Sequence, residues 1–174
     1  ITDLDVDIDS GAIFEIDGDD LDDGEFSKDI TGRGGVKING DVSFTQDDTG
    51  NDPDITFEGP TEINGGRLSL DVPNAIDDSS GVELINGGDL SASADQTLKN
   101  VSGSDPNSNL DVKKDITVTI VQNVDEDLKA SLSGEGNLEK SGSSRLTLDN
   151  NANNAIGQIS VNDGTFELKG ETSL

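Results

Sequence analysis

The run Asp17-Gly18-Asp19-Asp20-Leu21-Asp22-Asp23-Gly24-Glu25 is the stretch whose residue types point most directly to chemistry. Glycine permits a sharp turn, and the carboxylates of Asp17, Asp19, Asp20, Asp22, Asp23 and Glu25 are the hard oxygen ligands that calcium prefers. Their spacing differs from an EF-hand loop, which places ligands at its first, third and fifth positions and a Glu at the twelfth. It also differs from the G-G-x-G-x-D phrase of calcium-binding toxin repeats. An acidic surface turn is the plainer reading of the same residues. Upstream, Asp3, Asp5, Asp7 and Asp9 alternate with Leu4, Val6 and Ile8, which sets four carboxylates on one outward strand face, either solvated or relieved by a cation. Asp47-Asp48-Thr49-Gly50-Asn51-Asp52-Pro53-Asp54 carries the same ambiguity and reads as a loop between elements.

These groups belong to a strongly acidic chain. Its 174 residues hold 37 Asp and Glu against 11 Lys and Arg, for a net charge of −26. The first 29 residues alone carry 12 acidic groups and one basic group, Lys28. Binding to nucleic acid or to an anionic membrane through a basic patch is excluded by this balance. The acidity instead points to cations, as bound calcium or as a saline medium that screens the repulsion.

His and Cys are both absent. That removes disulfides, thiolate metal sites, Cys nucleophiles and the usual zinc, haem and Ser-His-Asp chemistry. A polysaccharide-cleaving enzyme needs carboxylates at set distances, often a basic partner, and commonly aromatic platforms for sugar rings. Here Arg33, Arg67 and Arg145 are the only guanidinium groups, and there is no Trp or Tyr. The sequence therefore reads as non-enzymatic. No run approaches the ~20 apolar residues of a membrane helix, and the opening Ile1 in place of Met reads as a mature or excised piece.

The elements that must position these residues are strands. Apolar side chains recur at every second place in Val36/Ile38, Val42/Phe44, Ile55/Phe57, Leu68/Leu70, Val82/Leu84, Ile116/Val118/Ile120, Leu146/Leu148, Ile159/Val161 and Phe166/Leu168. Period two places one face inward and one outward. Gly, Asn and Asp interrupt every stretch in which a helix could grow. Hydrophobic residues make up 30% of the chain and Phe, at five, is its sole aromatic, so the core must be aliphatic and narrow. Ser102 to Asn109 and Asn150 to Asn154 read as polar surface loops.

One phrase repeats: Ile38-Asn39-Gly40-Asp41-Val42, Ile63-Asn64-Gly65-Gly66-Arg67-Leu68, Ile85-Asn86-Gly87-Gly88-Asp89-Leu90 and Val161-Asn162-Asp163-Gly164-Thr165-Phe166. The Asn residues are 25 and 22 residues apart, and Asn162 lies 76 beyond Asn86, close to three such units. A period in the twenties is the signature of a solenoid, in which each coil stacks its inward aliphatics on the next. The alternative is an antiparallel β-sandwich with Asn-Gly hairpin turns. The expected fold is a single all-β unit over residues 1–174, a parallel β-solenoid with coils of roughly 22–25 residues and an acidic N-terminal portion at 1–29.

Residues 133–169 make the expectation specific. Ser133-Gly134-Glu135-Gly136-Asn137-Leu138-Glu139-Lys140-Ser141-Gly142-Ser143-Ser144-Arg145-Leu146-Thr147-Leu148, an Asn-rich loop, Gly157 and Val161-Asn162-Asp163-Gly164-Thr165-Phe166-Glu167-Leu168 resemble the autotransporter-associated β-strand repeat. That family reads G-x-G-x-L-x-K-x-G-x-G-x-L-x-L, a polar loop, then a Gly and V-N-x-G-x-L-x-L. Ser144 replaces one of its glycines and Phe166 its usual Leu, and neither change harms a strand. The resemblance implies a right-handed β-helix at the bacterial cell surface, commonly part of a far larger protein, with no catalytic residues. The expected function is an extracellular, adhesin-type passenger segment that presents loops to a host or neighbouring-cell ligand. The alternative is a structural subunit that self-associates end to end into a filament or surface layer, with calcium as its cofactor in one version.

Overall fold

The computed structural model describes residues 5–150, 152 and 154–173. Among them the alternating segments form twenty short strands and a single 3₁₀ turn at Gly18–Asp20. Every strand pairing is parallel. That rules out the antiparallel sandwich, since a tight hairpin can only join antiparallel neighbours.

The strands wind into a solenoid of about eight turns. Its longest sheet stacks Ile13–Asp17, Gly35–Asn39, Thr61–Asn64, Val82–Ile85, Val101–Gly103, Glu126–Leu128, Arg145–Leu148 and Thr165–Leu168 in chain order. A second sheet stacks Glu25–Phe26, Val42–Phe44, Arg67–Leu70, Asp89–Ala92, Asn109–Val112 and Ser131–Ser133. The third begins later, with Gln96–Lys99, Thr117–Val121, Asn137–Ser141 and Gln158–Val161. Earlier coils close that side with Val6–Ile8 paired to Ile30–Gly32 and an isolated bridge from Ile30 to Ile55. Along the longest sheet, partners lie as near in sequence as Val82 and Val101 and as far as Gly103 and Leu128. Coils therefore run from 19 to 25 residues there, shorter at the lower end than the expected 22, because the corners absorb insertions while the strands keep register.

Stacking turns the period-two pattern into columns. Ile16, Ile38, Ile63, Leu84, Gly103, Leu128, Leu148 and Leu168 succeed one another on the inner side of the longest sheet. Opposite them run Val42, Leu68, Leu90, Leu110 and Leu132. Phe26 and Phe44 continue into Leu70, Ala92 and Val112. Most of these side chains are buried, and each large aliphatic one contributes about 1.5–3 kcal/mol. Gly103 leaves a gap that a new Cβ could enter only tightly, at 3.2 Å from Leu128 Cδ1.

The first three Asn-Gly phrases occupy one corner, between the longest sheet and the second. There Asn64 Nδ2 donates to Asn39 Oδ1 at 2.8 Å and Asn86 Nδ2 donates to Asn64 Oδ1 at 2.6 Å. Glycine is required where successive turns touch: Gly66 has φ +66°, and a Cβ on it would lie 2.2 Å from the Gly40 carbonyl. The fourth phrase does not continue this row. Asn162 follows Gln158–Val161 and leads from the third sheet to the longest one, so the near-integral spacing was coincidental. A left-handed turn flanked by strands suits any corner of the solenoid.

Two of the expected surface loops also need correction. Val101–Gly103 and Asn109–Val112 are strands, and Ser108 between them is buried. Asn150 and Asn154 are buried as well. Asn150 Nδ2 donates to the Ala130 carbonyl at 2.7 Å, and Asn154 Oδ1 accepts from Leu132 N–H at 2.8 Å. Where the backbone turns away from a ladder its polar groups need partners, and these two amides supply them.

Candidate functional site

A solenoid spends its inward side chains on the core, so recognition falls to outer faces and corners. Asp5, Asp7 and Asp9 are exposed around the strand Val6–Ile8, while Asp3 and Leu4 lie outside the described residues. Asp17 ends the strand Ile13–Asp17 and caps the 3₁₀ turn, its carboxylate accepting from Asp19 N–H at 3.2 Å. Asp20 completes that turn, Asp22 and Asp23 follow it, and Glu25 opens the strand Glu25–Phe26. All six candidate ligands are exposed. Asp17, Asp20, Asp22, Asp23 and Glu25 line an open groove together with the apolar Phe14, Ile16, Leu21 and Phe26, whereas Asp19 lies outside it, beside Gly40 and Asp41 of the next coil. Among the described residues, no three acidic side chains gather into a group able to hold a metal ion.

The second acidic turn is organised from within. Asp47 accepts from the N–H groups of Asn51 at 2.9 Å and Thr49 at 2.8 Å, and from the Thr49 hydroxyl at 2.7 Å. These bonds, that from Asn51 foremost, hold its carboxyl well below the usual carboxylate range. This local geometry accounts for the residue types without a ligand.

Several of the cations bridge coils. Lys37 meets Glu62 at 3.4 Å, and Arg67 meets Asp89 at 3.5 Å. Arg145 stands between Asp125 of the preceding coil, at 3.3 Å, and Glu167 of the following one, at 3.5 Å. Exposed pairs of this kind contribute little each, about 0–1 kcal/mol, but they set cations among the acidic groups on the outer faces of the longest sheet and the second.

The corner that joins the third sheet to the longest one is built differently. In Asn137–Ser141, Leu138 and Lys140 both point inward, and Lys140 is fully buried. Its ammonium donates to the carbonyls of Ser141 at 2.6 Å, Gly142 at 2.8 Å and Asp163 at 3.1 Å. Three donors meet three acceptors, two in its own turn and one in the next coil. Desolvation pushes the Lys140 amine below its ordinary value of 10.5, and the Asp163 carboxylate partly offsets this. The two coils lie in register, with Leu138 beside Ile159, Lys140 beside Val161, Leu146 beside Phe166 and Leu148 beside Leu168. The phrases 138–148 and 159–168 are thus one corner built twice and stacked.

This stacked corner coincides with residues 138–168, which match the model of the passenger-associated-transport-repeat. The chain carries an autotransporter passenger repeat. It is similar, too, to the adhesin BmaC autotransporter of Brucella suis biovar 1 (strain 1330), with 31% identity over 117 residues, or 67% of this chain. The chain spans 3% of the length of that relative. No solved structure matches it. The lysine of the passenger repeat has a structural reason here: it closes the carbonyls of two successive turns.

Lys140 drew no attention in the sequence beyond its place in the repeat, and neither did two other buried polar groups. Gln96 donates to the Val72 carbonyl at 2.7 Å and accepts from Ala75 N–H at 3.0 Å, while Gln122 accepts from Val101 N–H at 3.1 Å. The available signal was positional. Gln96 and Lys140 occupy inward places of otherwise alternating strands, whereas Gln122 directly follows one.

Proposed function

We propose that this chain is a non-catalytic segment of an extracellular adhesin-type passenger, whose stacked coils hold polar loops away from the cell for contact with a surface ligand. The observation that carries this reading is the passenger repeat seated in register on an uninterrupted parallel ladder. Similarity to an adhesin autotransporter supports the adhesive role and the surface location. The lack of His and Cys in the sequence supports the absence of catalysis. Calcium would enter this reading by drawing together the carboxylates of Asp17 to Glu25, which stand apart in this structure.

The test compares beads coated with the purified chain and beads coated with an acidic protein of matched charge on cultured host cells. Greater retention of the chain-coated beads is expected. Equal retention removes the adhesive reading.

A further inference from the structure

Three Asn-Gly pairs, Asn39-Gly40, Asn64-Gly65 and Asn86-Gly87, share one corner, and the fold treats them unequally. Asn-Gly is the dipeptide most open to attack on its own side chain, because glycine puts no Cβ beside the approaching backbone nitrogen. In that reaction the Gly nitrogen, having given its proton to hydroxide, forms a bond to the Asn Cγ and closes a five-membered succinimide. The amide nitrogen takes a proton back from water, which restores the hydroxide, the Cγ–Nδ2 bond breaks and ammonia leaves. Water then opens the ring at either carbonyl, giving aspartate or isoaspartate.

For the attack, the Asn side chain must swing off the ladder and the Gly N–H must be free. Asn64 is held at both ends, accepting from Asn86 and donating to Asn39, and its nucleophile is engaged, since Gly65 N–H donates to the Ile85 carbonyl at 3.1 Å. Asn39 is half-buried, accepts from Asn64, and its Gly40 lies against Gly18 and Asp17 of the preceding coil. Asn86 is the exposed end of the row. Among the described residues one hydrogen bond holds its side chain, the donation to Asn64. Nothing lies within 4 Å of the place a Cβ would take on Gly87, and among the described residues the Gly87 N–H has no backbone acceptor.

We infer that Asn86 is a site of spontaneous deamidation in the folded chain, and that the amide ladder protects Asn64 from the same reaction. Two further hydrogen bonds must open at Asn64, which makes it slower by on the order of ten- to a hundred-fold. The product has a consequence for the corner. A carboxylate at position 86 has no N–H to give Asn64 Oδ1, so two oxygens face each other where a 2.6 Å hydrogen bond stood, and the isoaspartyl form adds a backbone methylene to the turn.

The test is peptide mapping by mass spectrometry after incubation in mildly alkaline buffer, with the intact chain and with the same chain unfolded in urea. Conversion of Asn86 first and Asn64 last is expected in the folded chain, with similar rates for all three pairs in urea. The same ranking in both states, or Asn64 converting as fast as Asn86 in the folded chain, overturns the inference. So does conversion of Asn86 in urea alone. A second arm uses Asn86→Gly, which carries no side-chain donor and suits the φ of 51° at that position, with folding checked by circular dichroism. Losing the donor to Asn64 Oδ1 should speed Asn64 conversion several-fold, and an unchanged Asn64 rate overturns the protective role of the ladder.

Discussion

Lys140 donates from Nζ to the carbonyl oxygen of Asp163 at 3.1 Å, so a buried ammonium in one coil closes the turn of the next. The burial of such a group is costly unless every proton finds a partner. Here the Ser141 and Gly142 carbonyls take the other two.

Lys140→Met should therefore destabilise the C-terminal coils by about 2–4 kcal/mol, because three inward carbonyls lose their donor while the added apolar contact returns part of the loss. Arg145→Ala, which removes an exposed double ion pair, should cost under about 1 kcal/mol. Hydrogen exchange over residues 138–168 reads the difference. Equal loss of protection in the two variants would refute the assignment.

The pH dependence of this corner follows from the direction of the Lys140 shift. Its amine is pushed below 10.5, so between its folded value and 10.5 the unfolded chain binds more protons than the folded one. The desolvation penalty is fully present at lower pH and is relieved as pH rises through that window, so this residue's contribution to stability increases there. Side-chain NMR of labelled lysines should place the Lys140 midpoint below 10.5, and a midpoint at or above that value would contradict the buried placement.

Much of the fold was legible because strands speak in period two. Leu68 and Leu70, or Leu146 and Leu148, could only be inward-facing pairs, and they are buried. The corner row of Asn39, Asn64 and Asn86 was legible from its spacing, whereas Asn162 was misplaced because the same turn chemistry serves a different corner. Asn150, Asn154, Gln122 and Lys140 were not legible as core. Polar side chains read as outward until one knows which turn carbonyls and N–H groups lie inside and need them. As for the candidate ligands, the sequence showed that Asp17 to Glu25 share a turn, but not whether their carboxylates converge.

Leu148→Asp should unravel the coils around Arg145–Leu148. Leu148 sits between Leu128 and Leu168 in the inner column, and a buried unpaired charge there costs several kcal/mol. Neighbouring coils interact by nearest contact, so the loss should spread from that position before reaching the N-terminal coils. Limited proteolysis gives the order of cleavage, and an unaltered pattern would remove Leu148 from the core.

Ions should act on the acidic N-terminal coil through screening. The carboxylates of Asp17, Asp19, Asp20, Asp22, Asp23 and Glu25 are not gathered around a point, so calcium should raise the melting temperature no more than sodium of equal ionic strength. An excess for calcium that disappears in Asp19→Asn with Asp23→Asn would show instead that the turn closes on the ion.

The central claim is that successive coils stack in parallel and in register, and the chain has no cysteine to complicate its test. Thr97 and Thr119 are register partners on the outer side of the third sheet, and Glu139 is the partner of Thr119 one coil further on. Adjacent parallel strands lie ~4.8 Å apart, within the Cα separation a disulfide can span, whereas two coils exceed it. With Thr97→Cys and Thr119→Cys in one chain, mild oxidation should form an intramolecular disulfide while the fold is retained. Thr97→Cys with Glu139→Cys should form none. Failure of the first pair, or equal cross-linking of the second, would contradict the stacked solenoid.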